Sequence, residues 1–187
     1  RRTMVEIEER TNIKRLHVHS EKSAAYMADG YARASGKPAI CMAQVIGALN
    51  IAAGLRDAYL AHSPVIALTG GRDPKTKLKK VYQEIDDMPA FEPVTKLNAT
   101  IDDVSRFPDM LKQAVRVATS GSPGPVHLQF KGNEGQIDLE ETEINDDFQP
   151  MNIRIPPHRP ICDNSILNRA IDSILSAKRP IIVAGGG

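Results

Sequence analysis

Ala39-Ile40-Cys41-Met42-Ala43, then Ala48 to Ala61, then Pro64-Val65-Ile66-Ala67-Leu68-Thr69-Gly70-Gly71 is the stretch whose reading decides the fold. The first run is short and apolar, bounded by Pro38 and Gln44, and reads as a strand. The alanine-rich middle segment has helical spacing and no internal proline. The last run is continuously apolar and closes on two glycines, as expected of a strand buried on both faces. A strand, a helix and a second buried strand joined by short turns make a parallel pair bridged by a crossover helix.

Working outward, the same alternation continues. On the N-terminal side, Thr3 to Arg10 reads as a short charged helix and Ile13 to His19 as a strand. Ser20 then suits an N-cap for a helix carrying Ala24, Ala25, Met27, Ala28, Tyr31 and Ala32, which Gly36-Lys37-Pro38 ends. On the C-terminal side a lysine-rich loop spans Arg72 to Lys80. Lys96 to Ile101 reads as an edge strand, Asp102 to Thr119 as a helix, and Pro125 to Phe130 as a further strand. The expected fold class is α/β, a parallel sheet flanked by helices on both faces, over residues 1–132. Residues 133–162 are acidic and then proline-rich and read as a linker. An amphipathic helix from Asn164 to Lys178 and a strand from Pro180 to Ala184 would begin a second α/β domain over 163–187.

Composition excludes several functions. With 24 Lys and Arg against 23 Asp and Glu, the net charge of +1 offers no general attraction to nucleic acid or anionic lipid. Four Phe, four Tyr and no Trp argue against base-stacking platforms. No apolar run approaches the ~20 residues that span a bilayer. Cys41 and Cys162 are too few for a disulfide framework, so a reduced, cytoplasmic compartment is expected. Arg1-Arg2 stands where an initiator Met is usual, and the sequence stops on Gly185-Gly186-Gly187, which reads as a fragment of a longer chain.

In open parallel sheets, ligands bind beyond the carboxyl ends of the strands. Three groups fall there. Glu21 opens the alanine-rich helix, where a carboxylate also suits the helix dipole. Gly47 and Asn50 lie in the turn leading into the next helix, which is also an ordinary place for them. Tyr82-Gln83-Glu84-Ile85-Asp86 follows the basic loop and otherwise reads as a solvated surface helix. His17 and His19 fall on one strand face without a third metal ligand nearby, so no metal site is expected in this chain. Arg72, Lys75, Lys77, Lys79 and Lys80 form a solvated loop that could also meet an anion at the mouth of the site.

These segments gain meaning from their order. Glu21-x-x-Ala24-Ala25-x-Met27-Ala28-Asp29-Gly30-Tyr31-Ala32-Arg33 precedes Gly47-Ala48-x-Asn50, then Gly54-Leu55-x-Asp57-Ala58, then the Pro64 to Gly70 strand. The series resembles the N-terminal pyrimidine-binding domain of thiamine-diphosphate-dependent enzymes, especially the acetolactate synthase-like group. Tyr82 to Asp86 looks like that group's Phe-Gln-Glu-x-Asp segment, and Gly124-Pro125-Val126-His127-Leu128 like its Gly-Pro-Val strand. Arg179 to Gly187 resembles the opening strand of its central domain. There are departures: Gln44-Val45-Ile46-Gly47 stands where the group has Thr-Ser-Gly-Pro-Gly, Ser20 stands where His is usual, and the group's first strand is absent.

The resemblance implies that Glu21 hydrogen-bonds the N1′ nitrogen of the cofactor's aminopyrimidine and promotes proton removal from thiazolium C2. Gly47 and Asn50 would lie at the pyrimidine, and Gln83 would approach the thiazolium and substrate, making Glu21 and Gln83 the catalytic candidates. It implies thiamine diphosphate as cofactor, with Mg²⁺ held outside this chain by the diphosphate-binding domain of the parent chain, and FAD in the central domain of some members. The implied substrate is a 2-ketoacid and the implied assembly a homo-oligomer, with no nucleic acid or membrane partner. An oxalyl-CoA decarboxylase-like or glyoxylate carboligase-like enzyme is the rival within the group. A non-catalytic dimerisation or binding module of the same fold is the rival outside it. Alone, the 187-residue chain is expected to be inactive, to bind the cofactor weakly and to self-associate through the surface around its alanine-rich helices.

Overall fold

The computed structural model describes residues 2–132, 155–156 and 160–185. Its centre is a four-stranded, wholly parallel sheet of β1 (Ala39–Ala43), β2 (Val65–Gly70), β3 (Asn98–Ile101) and β4 (Val126–Phe130) in the order β1-β2-β4-β3. The helices are α1 (Arg2–Arg10), α2 (Glu21–Ser35), α3 (Ala48–Leu60), the short α4 (Met88–Phe91), α5 (Phe107–Thr119) and α6 (Asn164–Ser176).

The pleat divides the core in two. Cys41, Val65 and Ala67 face α2, α3 and α4, packing against Ala25, Ala28, Ile51, Leu55 and Phe91. Ile66, Leu68, Val126 and Leu128 face the other way, against Ala114 and Ala118 of α5. Helices therefore cover both faces, as the continuous apolar runs of β2 and β4 require. The small residues of α2 let α3 come very close. A Cβ on Gly54 would lie 2.6 Å from Ala25 Cβ and 2.9 Å from the Lys22 carbonyl oxygen. Gly36 ends α2 in the left-handed conformation, φ 65°, its N–H bonded to Ala32 O, which is the role its sequence position suggests. The Asp29 and Arg33 pair lies on the same helix, with Asp29 buried and bonded through both oxygens to Arg33 at 2.8 and 2.7 Å.

Several expectations need correction. Residues 13–19 do not form a strand; Ile13 and Leu16 are exposed and the segment is irregular. Ile13 and Leu16 fall at odd and even positions, so no single face could bury them, and among the described residues β1 pairs only with β2. Ser20 occupies the N-cap of α2 with extended backbone, but its side chain makes no capping bond. Tyr82 to Asp86 is not helical; it runs irregularly into α4, which proline 89 and a three-residue helical turn at Glu92–Val94 hide from a periodicity reading. Asp102 to Thr119 divides into a 3-10 turn at Val104–Arg106 and α5, because Pro108 starts a new helix in its first turn.

The expected linker falls largely outside the described residues. Beyond it α6 forms, its N-cap Asp163 accepting from Ser165 N at 2.8 Å. The strand expected from Pro180 to Ala184 does not form, and Ile181, Ile182 and Val183 are exposed. A strand exists only where a neighbour takes its hydrogen bonds, and among the described residues this segment pairs with none.

Candidate functional site

The turn between β1 and α3 organises the site. After Gln44 the chain makes a 3-10 turn, Val45–Gly47, which leads directly into α3. Val45 is buried, whereas Ile46 and Leu49 project outward. Glu21, the first residue of α2, lays its side chain over Gly47. A Cβ there would come within 2.4 Å of Glu21 Cγ and 2.9 Å of Oε1. A larger residue at 47 would push the Glu21 side chain aside from this position. Asn50, in the first turn of α3, donates from Nδ2 to Glu21 Oε2 at 3.1 Å. Glu21, Gly47 and Asn50 are thereby brought together from two helices. Asn50 holds one carboxylate oxygen, while no hydrogen bond within the described residues engages Oε1.

Gln83 lies on the far side of the same turn. Val45, Ile46 and Leu49 form one wall of an open cleft of about 530 Å³, and the irregular segment after the basic loop forms the other, with Gln83 and Asp87 among its lining. Gln83 adopts a left-handed backbone, φ 63°, and so do Leu78 at 69° and Lys80 at 52°. Three non-glycine residues in that region within six positions mark a strained loop. Side-chain ties hold it. Glu84 accepts from Asp73 N at 3.2 Å and from Thr76 Oγ1, and Arg72 donates to Asp86 at 3.0 Å. Arg72 is thus engaged with Asp86, which removes it from the set of cations expected to meet an anion. Lys80 alone of that set lines the cleft.

Sequence reasoning missed two features. Asp87 is almost wholly buried, and its Oδ2 has no hydrogen-bond partner among the described residues. Burial first, then the neighbouring Asp86 carboxylate, push its carboxyl up to about 6, with Arg72 pulling the other way. The only sequence signal was the doubled acid Asp86-Asp87 just before an apolar turn. The second feature is His127 on β4, fully buried and stacked on Phe91 with ring centres 3.5 Å apart. Asn98 Nδ2 donates to Met88 O at 2.8 Å, which turns Asn98 Oδ1 toward His127 Nδ1 at 2.7 Å. The proton therefore belongs on Nδ1, and Nε2 accepts from Thr69 Oγ1 at 2.8 Å. Desolvation holds this imidazole neutral, pushed down to about 3. It ties β2, β3 and β4 to α4.

The histidines at 17 and 19 lie in the irregular segment, and no group of three metal-ligating side chains occurs among the described residues. None of the described helices is long and apolar enough to cross a membrane.

The chain has relatives among known proteins. Residues 2–90 match the family of the thiamine pyrophosphate enzyme N-terminal TPP binding domain. Over 172 residues the chain is 37% identical to a Methanocaldococcus jannaschii protein assigned as an acetolactate synthase large subunit; the match takes in 89% of this chain and 28% of that one. It is 32% identical over 178 residues to the acetolactate synthase isozyme 1 large subunit of Escherichia coli, covering 95% of this chain and 31% of the relative. Among solved structures, a Mycobacterium smegmatis chain assigned to the thiamin diphosphate-dependent enzymes superposes with a TM-score of 0.65 at 25% identity, covering 87% of this chain and 30% of that one. The chain thus spans less than a third of the length of these relatives.

Proposed function

Because the chain carries, over residues 2–90, the N-terminal TPP binding domain of the thiamine pyrophosphate enzymes, we propose that it supplies the aminopyrimidine-binding face of a 2-ketoacid decarboxylase or carboligase of the acetolactate synthase type. The observation that carries this reading is the Asn50 to Glu21 hydrogen bond, made across 29 positions of sequence with the Glu21 side chain lying close over Gly47.

The residues present fit the group. A ring nitrogen that must gain a proton needs a carboxyl oxygen that is held in place yet not already bonded. Asn50 fixes Glu21 through Oε2 and leaves Oε1 for that purpose. In this reading Glu21 holds and moves the proton at N1′, Asn50 orients the carboxylate, and Gly47 sets the distance between α2 and the turn. When bound, thiamine diphosphate supplies the electron sink for a carbanion at the former carbonyl carbon. Gln83, on the cleft side of the turn, orients the 2-ketoacid. Val45, Ile46 and Leu49 give the cleft an apolar wall on the side facing Gln83. The diphosphate and its Mg²⁺ belong to a diphosphate-binding domain outside this chain, and FAD, where the parent enzyme uses it, to the central domain that residues 163–187 would begin. The complete enzyme in this reading is a cytoplasmic homo-oligomer, with each site shared between domains.

Glu21→Gln in the full-length protein tests the assignment. Exchange of thiazolium C2–H should slow by at least ~100-fold, the scale of lost acid–base assistance, with the far-UV circular dichroism unchanged. Near-normal exchange with cofactor bound would overturn it.

A further inference from the structure

The loop of residues 72–87, which brings Gln83 to the cleft, leaves the sheet just after β2 and returns to it at α4. Its inner ties are its own: Glu84 accepts from Asp73 N and Thr76 Oγ1, and Arg72 donates to Asp86. These bonds give the loop a shape, with Leu78, Lys80 and Gln83 held in left-handed backbone. They do not fix where that shape sits against the sheet. That is decided at its two roots, Thr69 near the end of β2 and Met88 at the start of α4.

One side chain reaches both roots. His127, fully buried on β4, accepts at Nε2 from Thr69 Oγ1 at 2.8 Å, and its Nδ1–H donates to Asn98 Oδ1 at 2.7 Å. Asn98 Nδ2 in turn donates to Met88 O at 2.8 Å, so a continuous chain of hydrogen bonds joins the strand before the loop to the helix after it. The imidazole also stacks on Phe91 of α4. A neutral imidazole offers a donor, an acceptor and a flat aromatic face in one rigid side chain. Packing alone would be met by an apolar residue, as it is by Leu128 on the opposite face of the same strand.

We propose that His127 is a positioning residue for Gln83: it clasps the two roots of the loop and so fixes where Gln83 stands in the cleft. His127 is not among the residues that line the cleft and acts only through the loop. The clasp stands on the hydrogen bonds alone; its effect on turnover rests on the reading in which Gln83 orients a 2-ketoacid. Glu21 opens α2, and its bond to Asn50 of α3 involves neither root. Loss of the clasp therefore misplaces Gln83 and leaves the Glu21 side of the turn as it is. A shift of about 1 Å in an orienting group can cost on the order of 100-fold in rate, so a loosened root is enough.

Two measurements on the full-length protein test this. In amide hydrogen exchange, His127→Leu should speed residues 72–86 by at least about tenfold, the scale of one lost hydrogen bond. Residues 107–119 should keep the parent's rate, and His127→Gln, which retains a donor and an acceptor, should fall closer to the parent. Leu128→Ala is the control for general loosening, since Leu128 packs toward α5; it should speed residues 107–119 rather than the loop. In the enzyme loaded with thiamine diphosphate and Mg²⁺, with pyruvate as the probe, His127→Leu should lower kcat/KM for carboligation at least about tenfold. In a Gln83→Ala background the same change should cost less than about twofold, because residues that act through one another are not additive. Thiazolium C2–H exchange should be unchanged. Loop exchange at the parent's rate, faster exchange spread evenly over the chain, or an equal loss of kcat/KM in both backgrounds would each overturn the proposal. No turnover of pyruvate by the unaltered protein would count against the carboligase reading instead, and loop exchange would then decide the clasp. Should His127→Leu fail to fold by its thermal melt, Thr69→Val, which removes the hydroxyl at the other end of the same bond, takes its place in both measurements.

Discussion

Replacing Asp87 with Asn should stabilise the chain, and by an amount that depends on pH. Asp87 is buried with an oxygen unpartnered among the described residues, and burial pushes its carboxyl up from an ordinary 3.8 to about 6 in the folded state. The folded protein therefore holds this proton between about pH 4 and 6, where the unfolded chain has released it. Stability falls as pH rises through that window, because the unfolded state binds fewer protons there. Two pKa units at about 1.4 kcal/mol each give a cost of up to about 3 kcal/mol, fully present above pH 6 and absent below pH 4. Asn has the same shape and no charge to desolvate. The variant should gain up to about 3 kcal/mol over the parent at pH 8, and the gain should vanish at pH 4 apart from a constant packing difference. His127 has the opposite linkage, since its depressed folded pKa costs stability as pH falls from its ordinary 6.5 toward about 3. That contribution is common to both chains and cancels in the difference. The chain has no Trp, so equilibrium urea unfolding is best followed by far-UV circular dichroism at a series of pH values. A difference in unfolding free energy that stays flat from pH 4 to 8 would refute the reasoning.

Three further outcomes follow from particular contacts. Lys96 Nζ donates to Val117 O and Ser120 O at 2.6 and 2.8 Å, closing the end of α5, so Lys96→Met should cost about 1–3 kcal/mol in urea unfolding, the scale of lost charged hydrogen bonds. Gly54→Ala forces a methyl into Ala25 and the Lys22 carbonyl and should destabilise by about 1–3 kcal/mol, measured as a lowered melting temperature; an unchanged melt would show that α2 and α3 can separate freely. Gln83→Ala in the full-length protein should lower carboligation more than cofactor affinity, because Gln83 lines the cleft rather than the Glu21 side of the turn; loss of cofactor binding with normal turnover of the remaining loaded enzyme would show the opposite.

Much of the sheet was legible because its strands are short apolar runs between glycines and prolines. Val65–Gly70 and Val126–Phe130 differ from the sequence reading by a residue at most. The errors share a cause. Ile13 to His19 and Pro180 to Ala184 have strand-like composition, yet a strand exists only where a neighbour accepts its hydrogen bonds, and local sequence does not contain the neighbour. The pairing of Glu21 with Asn50 was legible only as two separately singled-out positions, since the bond between them depends on how α2 crosses α3 at Gly54. His127 was hidden for the reverse reason. Within an apolar strand it looks like one more alternating residue, and only the arrival of Asn98, Thr69 and Phe91 from elsewhere makes it a fully bonded buried imidazole. Asp87 could not be separated from a solvated acid because its burial is set by the cleft, not by its neighbours in sequence.

The central claim, that Glu21 meets the cofactor's ring nitrogen, is tested most directly by nitrogen NMR of thiamine diphosphate labelled at N1′ and bound to the full-length protein. The N1′ resonance should move away from its free position on binding, and Glu21→Gln should return it toward that position while the cofactor stays bound. A bound N1′ signal that matches free cofactor, or one that Glu21→Gln leaves unmoved, would contradict the account.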